Sequence, residues 1–257
     1  MTKRKALCVG INNYRNFPDA TLSGCINDVM TMIKVMHYLD VFMSIKTLMN
    51  KDATKNAIIT EFEKLINDDL DWIGFSFSGH GTQYPRADEP DGLGEALVCH
   101  DLAEKGDEWD MNTIITDREL RLMLDKANCV VELWLDSCFS GGMTRLLRRS
   151  KSRFISMPGH RELSLPQMSD SKMSSGPGRN LVFWVAASEA QEAADAWFQN
   201  GAEGAFTHFW SQNFFSNPEN PRVQLIAKTR AQLSSSNFSQ FARLKCWNAK
   251  AQTTVGV

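Results

Sequence analysis

Long hydrophobic runs are absent from this 257-residue chain. None approaches the roughly 18 apolar residues that a membrane-spanning helix needs, so no membrane partner is expected. An excess of charge of either sign is absent too. With 28 Lys and Arg against 30 Asp and Glu, the formal net charge is −2, which offers no electrostatic pull toward nucleic acid. Paired cysteines are absent. Cys8, Cys25, Cys99, Cys129, Cys138 and Cys246 include no Cys-x-x-Cys spacing, which argues against a zinc site. Most of them sit in apolar runs, where a reduced thiol is ordinary core material. Met1 to Lys5 is basic, but the apolar run behind it breaks at Gly10 and Asn12. That is too short for a signal peptide, so a strand and a cytoplasmic, reducing setting are expected. Internal repeats are absent as well. What is present, 43% hydrophobic and 23% charged residues, suffices for the core of one large α/β domain.

Short apolar runs alternate with segments of helical periodicity. Strands are predicted at Lys5 to Ile11, Val41 to Met49, Trp72 to Ser78, Ala96 to Cys99, Cys129 to Asp136 and Leu181 to Ala187. Helices are predicted over Leu22 to Leu39, from a Thr54 cap to Leu70, from Thr116 to Ala127, over Gly204 to Phe215 and over Val223 to Leu233. Such alternation implies βαβ units and a mostly parallel sheet. Gln83 to Glu95 reads as a polar loop. Residues 143–180 carry a basic run and then Ser, Pro, Gly and Met without periodicity, which reads as a flexible linker. The chain thus divides into 1–142, the linker 143–180, and 181–257.

Two strand ends carry chemistry. Phe75-Ser76-Phe77-Ser78 runs into Gly79-His80-Gly81, and Leu135-Asp136-Ser137-Cys138 runs into Phe139-Ser140-Gly141-Gly142. In a parallel sheet, ligands bind at the carboxyl ends of strands. If the two strands are neighbours, an imidazole and a thiol emerge at one edge. A thiolate is the nucleophile, and a nearby imidazole lowers the thiol pKa and shuttles the proton. The amides of Gly81 and Cys138 are placed to hold an oxyanion. A lone Cys or His in such a setting is usually structural; the pairing of the two turns carries the reading.

With Gly10-Ile11-Asn12, Leu22-Ser23-Gly24-Cys25-Ile26-Asn27-Asp28, Gln191-Glu192-Ala193-Ala194-Asp195 and Gly204-Ala205-Phe206-Thr207 added to those turns, the chain resembles the caspase-like cysteine peptidases of family C14. It is most similar to the metacaspases and their bacterial relatives. The resemblance implies a caspase-like fold, a mostly parallel six-stranded sheet flanked by helices on both faces, with a catalytic dyad of His80 and Cys138. Residues 143–180 would then be the junction between large- and small-subunit regions. The Gln-Ala-Cys-x-Gly signature of caspases is missing. The resemblance instead assigns Asp136 and Asp195, with Cys25, Asp28 and Ser78, to a pocket for Arg or Lys before the cut. Two carboxylates in one pocket call for such a cation, and a guanidinium can satisfy both with forked hydrogen bonds.

The departures from the family matter too. An acidic pattern tied to calcium appears here as Asp91-Gly92-Leu93-Gly94-Glu95, one acid short. A paired Asp-Asp appears as Asp117-Arg118, and a third acid is matched by Arg145. Hard cations need several oxygen ligands, so no cofactor and weak or absent calcium dependence are expected. The basic linker offers Arg148, Arg149, Lys151 and Arg153, with Arg161 and Lys172 beyond, as sites of self-processing. Expected partners are protein or peptide substrates and an upstream activating protease, and a monomer is expected. The alternative is a catalytically silent caspase-like adaptor. Among the tryptophans, Trp134 and Trp184 are expected in the core, and Trp109, Trp197 and Trp210 in the core or along a substrate groove.

Overall fold

The computed structural model describes residues 2–89, 92–139, 150–159, 180–188, 191–246 and 250–256. The first elements are β1 (Arg4–Gly10), α1 (Cys25–Leu39), β2 (Ser44–Met49), α2 (Lys55–Ile66) and β3 (Trp72–Ser78). Next are β4 (Gly81–Pro85), β5 (Leu93–Val98), β6 (Glu104–Lys105), β7 (Glu108–Trp109) and β8 (Ile114–Thr116). Then come α3 (Asp117–Leu124), β9 (Val130–Asp136), β10 (Ser150–Ser152) and β11 (Leu181–Val185). The last are β12 (Ala194–Phe198), β13 (Gly201–Gly204), α4 (Ala205–Ser216), α5 (Arg222–Ser235) and β14 (Arg243–Cys246).

The central sheet has six strands in the order β14-β11-β9-β3-β1-β2. Every neighbouring pair is parallel except β11 and β14. Residues of β3 are buried without interruption, as expected for a strand covered on both faces. The period-two alternation of strand side chains then sorts them into two cores. Leu7, Val9, Phe75, Phe77 and Leu133 face Phe62 of α2 and Leu120 of α3. Ala6, Cys8, Trp134, Val182 and Trp184 face α1, α4 and α5. On that second face Trp210 packs edge-on against Trp134 and Trp184, with ring centroids 5.6 and 5.4 Å apart. Beneath them Arg222 of α5 forks onto Glu132 of β9 at 2.8 and 2.7 Å. The Trp184 indole also donates to Glu132. This buried cluster joins the two halves of the chain.

Local signals account for the helix starts. The Thr54 hydroxyl accepts from the Ala57 amide at the head of α2. Thr116 and Glu119 form a reciprocal capping box on α3, satisfying amides that have no partner inside the helix.

Three segments depart from expectation. The two ends of the segment Gln83 to Glu95 are strand rather than loop, because β4 and β5 form an antiparallel hairpin that pairs Gln83–Pro85 with Leu93–Glu95. Its polar residues Gln83 and Glu95 alternate with buried Thr82, Tyr84, Leu93 and Ala96, so the sequence reads as polar although one face is packed. The hairpin of β12 and β13 is too short and too polar to stand out as strands. Within the segment read as a flexible linker, Ser150–Ser152 is a strand paired with β12, and Arg153 beyond it is completely buried. No helix among the described residues is long and apolar enough to cross a membrane.

Candidate active site

β3 and β9 are neighbours, and Ser78 sits opposite Asp136 in their register. His80 and Cys138, each two residues past these positions, therefore leave the sheet at the same edge. The His80 amide donates to the Tyr14 hydroxyl at 2.8 Å, and the Tyr14 ring lies 5.0 Å from the imidazole. Nε2 of His80 is 2.7 Å from the Ala20 carbonyl. A carbonyl only accepts, so Nε2 carries the proton and Nδ1 is the free base. Nδ1 is buried with no hydrogen-bond partner. The Cys138 thiol meets the Ala193 backbone, donating to its carbonyl at 3.4 Å and receiving its amide. Burial pushes the thiol up to about 12 and the imidazole down to about 4. In this closed arrangement both groups are neutral near pH 7.

One turn away lies an acidic pocket. Asp28 comes from the first turn of α1, Asp136 ends β9, Asp195 lies on β12, and all three are buried. Each is oriented by backbone or hydroxyl donors. Asp28 accepts from the Gly204 amide and from Ser78 Oγ. Asp136 accepts from the amide and hydroxyl of Thr207 at the start of α4. Asp195 accepts from the amides of Ser23 and Gly24, just before α1. Backbone amides at the starts of α1 and α4 thus orient the three carboxylates. Cys25, fully buried at the head of α1, lies beside this group. Gly204 leaves room for the pair, because a Cβ at this position would displace Asp136 Oδ2 and Arg153 Nη1.

The cation in the pocket is supplied by the chain itself. Arg153 is 0% exposed. Its Nη2 donates to Asp28 at 2.8 Å and to Asp195 at 2.9 Å. Its Nη1 donates to Ser78 Oγ at 2.8 Å and pairs with Asp136 Oδ1 at 3.1 Å. Burial works to discharge the guanidinium, but the carboxylates, Asp136 foremost, outweigh it and hold its pKa up. Burial likewise pushes Asp28 up to about 7, with Arg153 pulling it back and Asp136 adding to the rise. The Arg153 carbonyl accepts from the Gly81 amide at 2.9 Å and from the Cys138 amide at 3.2 Å. Those are the two amides expected to hold an oxyanion. The peptide bond between Arg153 and Phe154 thus lies between the His80 and Cys138 turns. Burial of Arg153 departs from the picture of a solvated linker, because three carboxylates and a strand partner replace its water.

Cys25, Asp28, Ser78, His80, Gly81, Asp136, Cys138 and Asp195 therefore converge in one place. Of the other processing candidates, Lys151 is exposed, with Nζ on the Thr21 carbonyl. Arg148, Arg149, Arg161 and Lys172 lie outside the described residues, as do Gly141, Gly142, Arg145 and Asp91. Asp117, expected near a calcium position, is held by Arg86 Nη1 at 2.6 Å and by the Tyr84 hydroxyl. Asp88 and Glu89 also pair with Arg86. Trp109 and Trp210 are buried, whereas Trp197 is exposed. The sequence offered no reason to single out Tyr14, Ala20 and Thr82. They act through a ring, a carbonyl and a hydroxyl, and even Thr82, next to the His80 turn, carries no chemistry of its own in the sequence.

A family model described as the metacaspase, peptidase C14 domain matches residues 4–147, more than half the chain. Metacaspase-1A of Aspergillus oryzae is 25% identical over 95% of this chain and 67% of its own length. Metacaspase-1 of Coccidioides immitis is 26% identical over 95% of this chain and 61% of its own. Metacaspase-8 of Arabidopsis thaliana is 31% identical over 54% of this chain and 38% of its own. The chain thus spans about two thirds or less of these relatives' length. In fold it is similar to the protein GSU0716 from Geobacter sulfurreducens, at TM-score 0.70 and 21% identity, covering 98% of this chain and 97% of that one. It is also similar to Caspase-1 from Spodoptera frugiperda, at TM-score 0.63 and 10% identity, covering 95% and 86%. The shared fold and the match over residues 4–147 agree: this chain belongs to the metacaspase family of C14 peptidases.

Proposed function

We propose that this protein is a cysteine endopeptidase that cuts after Arg or Lys, and that its first substrate is its own Arg153–Phe154 bond. One observation carries the reading: Arg153 fills the pocket of Asp28, Asp136 and Asp195 while its carbonyl accepts from the Gly81 and Cys138 amides. A side chain in a specificity pocket and a carbonyl among oxyanion donors describe a bound substrate. In the reaction His80 Nδ1 takes the Cys138 proton and the sulfur attacks the Arg153 carbonyl carbon. The Gly81 and Cys138 amides hold the resulting oxyanion. His80 then protonates the Phe154 nitrogen, the C–N bond breaks, and water hydrolyses the thioester. Lys fits the same charge, but only Arg makes the fork seen here. Calcium independence belongs to the same reading, supported by the Arg86 guanidinium among Asp117, Asp88 and Glu89.

The test pairs intact-mass analysis with fluorogenic peptides. Wild type is expected to split after Arg153, while Cys138→Ala stays whole. Arg peptides are expected to turn over, Asp peptides not, and chelators to leave the rate unchanged. Equal fragmentation of wild type and Cys138→Ala would exclude self-cleavage. Turnover after Asp would break the pocket assignment. No turnover of any peptide would favour the silent adaptor.

A further inference from the structure

The chain on either side of Arg153 is held in two different ways. Before it, β10 is gripped through its backbone against β12. Its side chains are small or turned to water, and Lys151 makes an exposed hydrogen bond to the Thr21 carbonyl. After it, the side chains themselves are taken in. Phe154 bridges in parallel to Gly81 and packs against the core that includes Cys138. Ile155 packs against the opposite core, and Met157 is buried within it. Ser156 between them is exposed.

The backbone after Arg153 is recognised as an added strand. β4 pairs with β5 along one edge, and its other edge receives this segment. The Ile155 amide donates to the Gly81 carbonyl at 3.0 Å, and Thr82 Oγ1 donates to the Ile155 carbonyl at 2.7 Å. Thr82 is fully buried, and the Trp109 indole donates into its hydroxyl at 2.9 Å. With an indole N–H on its lone pair, the hydroxyl proton is aimed at the carbonyl of the second residue past the cut. Strand addition to a free edge supplies affinity through the backbone, and alternate side-chain pockets supply selectivity.

We infer that, among segments carrying Arg at the cut, this protein selects substrates by the residues on the carboxyl side, a proposal that rests on reading Arg153–Phe154 as the bond offered to Cys138. The substrate class is an extended segment with Arg and then two bulky apolar residues. Thr82 is the positioning residue that holds the main-chain carbonyl of the second of these. Substrates with a small reporter group directly after Arg keep the pocket contacts but lose this added strand.

The experiment uses the full-length protein and internally quenched octapeptides. The parent is Ser-Ala-Ser-Arg-Phe-Ile-Ser-Met, the sequence of residues 150–157 with Ala in place of Lys151 so that Arg is its one basic residue. One variant has Gly-Gly in place of Phe-Ile and another has Asp in place of Arg. An Arg-aminocoumarin peptide ends at the cut. The parent is expected to exceed the Gly-Gly peptide in kcat/KM by about tenfold or more. Thr82→Val is expected to lower the ratio of parent to aminocoumarin turnover, also by about tenfold. Equal rates for the parent and Gly-Gly peptides would overturn the inference and leave the Arg pocket standing. A matched fall on both substrates in Thr82→Val would assign Thr82 to the fold and overturn its role. Equal cleavage of the Asp peptide would overturn the pocket reading itself, and the inference with it.

Discussion

A guanidinium without water is stable only where other groups replace its hydration, and Arg153 meets Asp28, Asp136, Asp195 and Ser78. Burial pushes the Asp28 carboxyl up to about 7, with Arg153 pulling it back and the neighbouring Asp136 carboxylate adding to the rise. When the guanidinium leaves, Asp28 loses the partner that pulls its pKa down and holds its proton still more firmly. An arriving Arg side chain must displace that proton, so binding weakens as pH falls below neutrality. KM for an Arg peptide is therefore expected to rise by up to about tenfold per pH unit on the acid side. Asp28→Asn is expected to raise KM at pH 8 and to flatten this dependence. KM measured from pH 8 to pH 5.5 on both proteins checks it, and a flat wild-type profile would remove Asp28 from cation binding. Asp28, Asp136 and Asp195 were legible as pocket acids only through the family resemblance. Arg153 as their partner was not legible, because an arginine in a basic run looks the same whether it is solvated or buried.

Short elements build the floor of the pocket. β12 brings Asp195, β13 ends at Gly204, and α4 brings Thr207 to Asp136. Gly204 is the pivot of this arrangement because it has no Cβ to strike Asp136 and Arg153. Gly204→Ala is expected to displace the Asp136 carboxylate and raise KM for Arg peptides by about tenfold or more. The helix and its packing should persist, so circular dichroism is expected to match wild type; an unchanged KM would refute the role of Gly204. The strands β1, β3, β9 and β11 and the capped helices α2 and α3 were legible because short uninterrupted apolar runs and caps are local signals. Of the β4–β5 hairpin only the end of β5, at Ala96 to Val98, was legible, and the β12–β13 hairpin was not, since short strands with one polar face depend on partners outside themselves.

At the scale of the molecule, a cut after Arg153 falls between β9 and β11, which are neighbours in the central sheet. Their ladder, the Arg222–Glu132 pair and the tryptophan cluster all cross the break. The two fragments are expected to co-elute as one species in native chromatography and to separate only in denaturant. Separation without denaturant would show that the connection itself, rather than the shared sheet, holds the halves together. Local periodicity and short motifs were enough to read the α/β class, the strand ends that carry His80 and Cys138, and the family. They were not enough to show that Arg153 is the pocket's cation or that Thr82 meets the chain beyond it. Both of those depend on segments far apart in sequence meeting at one sheet edge, where burial makes an unpaired charge or hydrogen-bonding group costly.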